Sequence, residues 1–269
     1  MIVKPARQCA AFTLIELLVV ISILGILAAL AVPAVKSWGK AESLQSATQQ
    51  LKDDIHRARQ LALSQRTTVY MVFLPANFWN GSYAVPNATA YAGMSPTNKD
   101  LVAKLFDKQL NSYTFISMRS VGDQPGRPTP RYLMPWRSLP DGNWIAQWKF
   151  MNVGGQINDP PPPALPVKRV LIVDRMEDKP FPFPTADSPT MFVLPCIAFS
   201  HLGQIASGKD EYIPLARGTL GHAYSPTKVP LASAPTATEI PPTNSIYSFN
   251  IVHVDWLTGR ARIERPEMQ

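Results

Sequence analysis

The stretch AAFTLIELLVVISILGILAALAVPAV, Ala10–Val35, decides how this chain is read. From Leu17 to Val35 all nineteen residues are apolar or small, with Ser22 and Gly25 the mildest exceptions. As a helix rising about 1.5 Å per residue, such a run approaches the roughly 30 Å of bilayer hydrocarbon. One carboxylate, Glu16, stands near its start. Placing a carboxylate there costs about 2.5–3.5 kcal/mol on insertion scales, so Glu16 asks for a function; the plainer alternative is a side chain that snorkels to the interface. The preceding MIVKPARQCAA carries Lys4 and Arg7 and no acid, a flank that would stay cytoplasmic. Lys36 and Lys40 follow the run, so the flanking charges leave its orientation open. An ordinary secretory signal is disfavoured, because the run exceeds a usual h-region and contains an acid. A lipoprotein signal fails because Cys9 precedes the apolar run.

The segment FTLIELLVVISILGILAALAVPA resembles the N-terminus of type IV prepilins and pseudopilins, from the Phe-Thr-Leu-Ile-Glu start through the apolar helix to Pro33. The resemblance implies cleavage between Ala11 and Phe12 by a prepilin peptidase, with methylation of the new Phe12 amine. It makes Glu16 the counter-charge for the amine of a neighbouring subunit during assembly, and a charge in hydrocarbon persists when an opposite charge pairs with it. The family usually has Gly before the cut, and this chain has Ala11. Cleavage would remove Lys4 and Arg7, taking basic against acidic residues from 26 and 19 to 24 and 19, a net +5.

Pro33 lacks an amide hydrogen and crowds the preceding turn, which predicts a kink or local melting of the helix. Helical periodicity resumes beyond it, with Leu44, Ala47, Leu51, Ile55, Ala58 and Ala62 at spacings of three or four. This stripe is expected to pack on a sheet, with His56 on a solvated or interfacial face. Composition turns β-like between Ser64 and Thr68. That passage resembles the GspH/FimT group of minor pseudopilins, in which the helix leads straight into the first strand. Two downstream stretches share the resemblance. Ile197–Leu215 reads as strand, Gly-containing turn and strand; IYSFNIVHVDWLTGRARIER reads as two strands around a Leu-Thr-Gly turn.

The middle of the chain is dominated by proline. There are 27 prolines in 269 residues, about twice ordinary usage, and only Pro5 and Pro33 precede Pro75. Segments such as DKPFPFPTADSP and NDPPPPALP are expected to be stiff connectors enlarging a small head, with no second hydrophobic core. KDLVAKLFDKQL predicts a short helix capped by Thr97 or Asn98. YTFISMRS, KRVLIVDRM and MFVLPCIAF are strand candidates. The resulting expectation is an α+β, pilin-like fold. A leader (1–11) precedes a transmembrane and assembly helix (12–34) and the second half of the same helix (35–66). An antiparallel β-rich head with Pro-rich loops (67–269) completes it.

Little in the sequence points to catalysis. No G-x-S-x-G, H-E-x-x-H, P-loop or dinucleotide fingerprint is present, and no cofactor is expected. His201 and His222 flank Gly-containing turns, and Asp210 and Glu211 read as residues at the start of a strand. Asp174, Glu177 and Asp178 are interrupted by Arg175 and Lys179, and read as a solvated turn rather than a calcium site. No metal site is expected. With Cys9 removed, Cys196 would be a buried, inert thiol in MFVLPCIAF.

The formal charge of +7 permits contact with nucleic acid or anionic lipid and demands neither. Arg260 and Arg262 are two apart in the closing hairpin, with Arg265 following, so on a strand the first two would share a face. Such a pair could grip successive phosphates; it resembles the C-terminal G-R-x-R element of FimT-type pilins, implicated in DNA uptake. The alternative is that these arginines keep an edge strand soluble.

The expected function is therefore that of a non-enzymatic minor pilin or pseudopilin of a type II secretion pseudopilus or type IV pilus, assembled through its N-terminal helix. The alternative is a DNA-binding subunit of a competence pilus. Expected partners are prepilin peptidase, other pilin or pseudopilin subunits, inner-membrane lipid and, in the alternative, DNA. The expected location is the bacterial inner membrane, single-pass with a periplasmic head.

Overall fold

The structure, a computed structural model, describes residues 14–80, 87–120, 122–124, 129–150, 175–244 and 250–265; for residues 28–42 it describes the backbone alone. The chain divides into two compact units, Met1–Glu42 and Ser43–Gln269. Its elements, in order, are α1 (Leu14–Gln65), β1 (Val69–Phe73), α2 (Asn87–Ala92), α3 (Pro96–Ala103), β2 (Ser112–Ser117), β3 (Arg131–Tyr132), β4 (Arg137–Ser138), β5 (Asn143–Ile145), β6 (Glu177–Pro182), β7 (Met191–Phe199), β8 (Glu211–Gly221), β9 (Thr236–Glu239), β10 (Asn250–Val254) and β11 (Ala261–Glu264).

The membrane-spanning reading of the first unit is corrected. Among the described residues, no helix is long and apolar enough to cross a membrane. The single-pass inner-membrane location and assembly through a membrane-spanning helix lose their support with it. Pro33 does not end α1, because the helical backbone continues through it. The leader and the Ala11–Phe12 junction lie outside the described residues.

The second unit holds two antiparallel sheets. One has six strands in the order β3-β2-β1-β7-β6, with β4 also paired to β2. The other has five, in the order β11-β10-β8-β5, with β9 also paired to β8. One core gathers Ala47, Leu51, Ile55, Ala58 and Ala62 of α1 with strand residues of both sheets, among them Phe73, Phe115, Phe199, Leu215 and Val252.

A second core corrects the expectation that none exists. Strand side chains alternate between faces, so β1 sends Val69, Met71 and Phe73 into the first core and Val72 into the second. Likewise β7 sends Ile197 and Phe199 one way, and Phe192, Leu194 and Cys196 the other. Aromatic rings from outside the strands fill that outer face: Phe78, Trp79, Phe106 and Phe183, with Phe183 stacked on Phe192 at 4.6 Å. Every residue of both cores lies in Ser43–Gln269, so this unit carries its own hydrophobic interior.

Local expectations are corrected in two places. The short helix is α3, which starts earlier than expected; its cap is Ser95, whose Oγ accepts the Asn98 N–H at 3.4 Å, with Pro96 in the first turn. The segment EDKPFP, expected as connector, is β6, paired with β7 from Glu177↔Cys196 to Pro182↔Met191. It tolerates proline because it is an edge strand. Beyond the inner end of β1, Asn87 continues the pairing of β7 on its other side. Its Nδ2 donates to Val193 O and its Oδ1 accepts the Val193 N–H, both at 3.0 Å. The strand candidate KRVLIVDRM falls mostly outside the described residues, and its last two residues precede β6 without belonging to it.

Candidate functional site

The residues singled out for function gather where the closing hairpin meets the β7–β8 connection. β10 and β11 pair antiparallel, from Ile251↔Glu264 to Val254↔Ala261. Their turn is held by Asp255, whose Oδ1 accepts the Thr258 N–H and hydroxyl, both at 2.7 Å. These bonds hold the Asp255 carboxyl below its usual range. Gly259 closes the turn at φ +61, where a Cβ would stand 2.0 Å from Gly203 O. The two loops therefore touch through backbone, and Arg59 of α1 clips them together. Its Nε donates to Thr258 O (2.7 Å) and Gly203 O (3.2 Å). His56, one turn earlier on α1, accepts the Ala261 N–H at 3.1 Å.

His253 is the centre of a network that the sequence did not announce. Ile251, Val252, His253 and Val254 of β10 are all buried. His253 is 3% exposed, its ring stacked on Tyr212 at 4.2 Å. Its Nε2 lies 3.0 Å from Asp210 Oδ2 and its Nδ1 lies 2.9 Å from Glu264 Oε1. Arg262 Nε donates to Glu264 Oε1 at 2.7 Å and reaches His253 Nδ1 at 2.9 Å. A doubly protonated ring donates to both carboxylates. A ring protonated on Nε2 alone donates to Asp210 and accepts from Arg262. The cluster is satisfied either way, so His253 clasps β8 and the hairpin together.

Burial would push the Glu264 carboxyl up, but its bonds to His253 and Arg262 outweigh that and hold it below the ordinary value. A carboxylate depressed by folding contributes stability above its unfolded pKa of about 4.3, and that contribution is lost as pH falls through the folded value. Glu264→Gln should therefore lower stability at neutral pH, with the two proteins converging under acid. Denaturant midpoints measured from pH 7 down to 3 check this.

The three arginines expected to act together are placed differently. Arg262 is engaged by Glu264 and His253, although still exposed. Arg260 and Arg265 are exposed. Arg260 precedes β11 rather than lying on it. Glu16 is exposed in the first turn of α1. Ala11 and Phe12 lie outside the described residues, and of Pro33 only the backbone is described.

Other candidates have structural explanations. Cys196 is buried, and burial pushes its thiol well above the ordinary range, which keeps it protonated and unreactive. Asp178 pairs with Arg175, and Asp174 lies outside the described residues. Among the described residues no group of three or more His, Cys, Asp or Glu is arranged to hold a metal ion. His201 is exposed. His222 is half-buried, and burial draws its imidazole below the usual value.

No curated protein and no solved structure matches the chain. Residues 6–32 match the prokaryotic N-terminal methylation motif. That match spans Ala11, Phe12 and Glu16, and the chain thus bears an N-terminal methylation motif consistent with type IV pilin-like proteins.

Proposed function

We propose that the chain is a pilin-like protein of the GspH/FimT kind: a substrate of prepilin peptidase, cut between Ala11 and Phe12, methylated on the Phe12 amine, and non-catalytic. The methylation motif over residues 6–32 carries this reading. Glu16, four residues beyond Phe12, supplies the counter-charge for the amine that cleavage creates. The GspH/FimT assignment draws support from the three residues that separate α1 from β1, and from the closing β10–β11 hairpin with its Gly259-Arg260 turn. Its partners are the peptidase and other pilin-like subunits.

The test is the mass of the mature N-terminus after expression beside a prepilin peptidase. The expected chain begins at Phe12 and is one methyl group heavier than the unmodified sequence. Ala11→Gly, which restores the residue usual before the cut, should speed processing. A chain that keeps Met1, or begins anywhere other than Phe12, overturns the proposal.

A further inference from the structure

At the loop end described above, Leu202 is 63% exposed, Trp256 40% and Leu257 53%. Their loops are joined by the Ile205 N–H to Trp256 O bond (2.8 Å) and by the Arg59 clip, so the three side chains share one fixed platform. The charges around it are sorted. Asp210 turns both oxygens inward, Oδ2 to His253 and Oδ1 to the Trp256 N–H (2.8 Å), and Asp255 is occupied by its own turn. Lys209 and Arg260, each next to these loops, are exposed and form no ion pair among the described residues. An apolar tip with the exposed Lys209 and Arg260 in its flanking loops, and with Asp210 and Asp255 already engaged by hydrogen bonds, complements a surface that is apolar beneath and negative on top.

We propose that this platform rests on anionic lipid: Trp256, Leu257 and Leu202 enter the interfacial layer while Arg260 and Lys209 meet the headgroups. Tryptophan suits that depth, having an apolar ring and one polar handle. This is surface contact and needs no spanning segment. Single-stranded nucleic acid is the weaker fit. Only one of the three apolar residues can stack on a base, and Arg262, which would extend a phosphate track beside Arg260, is held by Glu264. The contact stands apart from N-terminal processing and survives if that proposal fails.

The test uses the Ser43–Gln269 unit, which carries its own core and lacks the apolar N-terminal run, in sedimentation with vesicles. Phosphatidylcholine vesicles with and without phosphatidylglycerol are compared. Binding is expected to the anionic vesicles. It should weaken at least about tenfold in Trp256→Ser/Leu257→Ser and roughly fivefold per cation in Lys209→Gln/Arg260→Gln. Unchanged denaturant midpoints establish that the variants fold. Independently, Leu257→Cys carrying a polarity-sensitive dye should shift to the blue on anionic vesicles. No binding to those vesicles, binding that ignores the apolar pair, or binding to a single-stranded oligonucleotide with none to lipid would each overturn the proposal.

Discussion

Glu211→Ala is expected to destabilise the head by about 3–5 kcal/mol, enough to unfold a marginal domain. Lys149, in the one-turn helix Gln147–Phe150, is 1% exposed, and its Nζ lies 2.9 Å from Glu211 Oε2 at the start of β8. Alanine removes the negative charge beside a buried ammonium and leaves a small void. A buried charge that loses its counter-charge costs far more than the intact pair contributes. The double replacement Lys149→Met/Glu211→Leu should therefore recover most of the loss, because an apolar pair of similar volume needs no charge desolvated. Urea unfolding reads both variants; the midpoint should fall with the slope unchanged for Glu211→Ala alone. A loss below 1 kcal/mol would mean that water reaches the pair.

Gly218→Ala should be nearly as damaging, at about 2–5 kcal/mol. Gly218 sits in β8 where β5 and β9 both press on it, at φ +152. A Cβ there would lie 2.0 Å from Thr238 O, 2.7 Å from Trp144 Cη2 and 2.9 Å from Glu239 Cα. Backbone cannot retreat as a flexible side chain can, and the Trp144 ring is itself packed in the first core. Gly208→Ala is the control. Its φ is +69, with nothing within 4 Å of the added carbon, so it suffers backbone strain alone. The difference between the two, read as thermal midpoints, isolates the steric part. Equal losses would show that β9 moves aside.

Some of this molecule was readable from the sequence because it obeys a simple period. The stripe from Ala47 to Ala62 repeats at helical spacing and enters the first core. MFVLPCIAF and the closing hairpin carry apolar runs bounded by turn residues, and both form strands. The second core was hidden because most of its rings outside the strands, Phe78, Trp79 and Phe183, come from segments with no period at all. β6 was hidden because Pro180 and Pro182 argue against a strand unless its position at a sheet edge is known. The His253 cluster joins residues 43 and 11 positions away along the chain, and no local pattern announces such a meeting. The membrane span was read from hydropathy along the chain alone, and no helix among the described residues is long and apolar enough to bear it.

The prolines of β6 have one more consequence. Val193, opposite Pro180, directs its N–H and C=O to Asn87 and so away from β6. In an antiparallel ladder this makes Pro180↔Val193 a pair without mutual hydrogen bonds, and Pro182 shares its parity. The amide positions of both prolines thus face outward, where an incoming strand would need donors and finds only the Asp178 N–H of the same parity. The β6 border of the six-stranded sheet is in effect blunted against copies of itself. Crowded heads would then resist edge-to-edge fibre growth, and Pro180→Thr/Pro182→Thr would be the change that unlocks it.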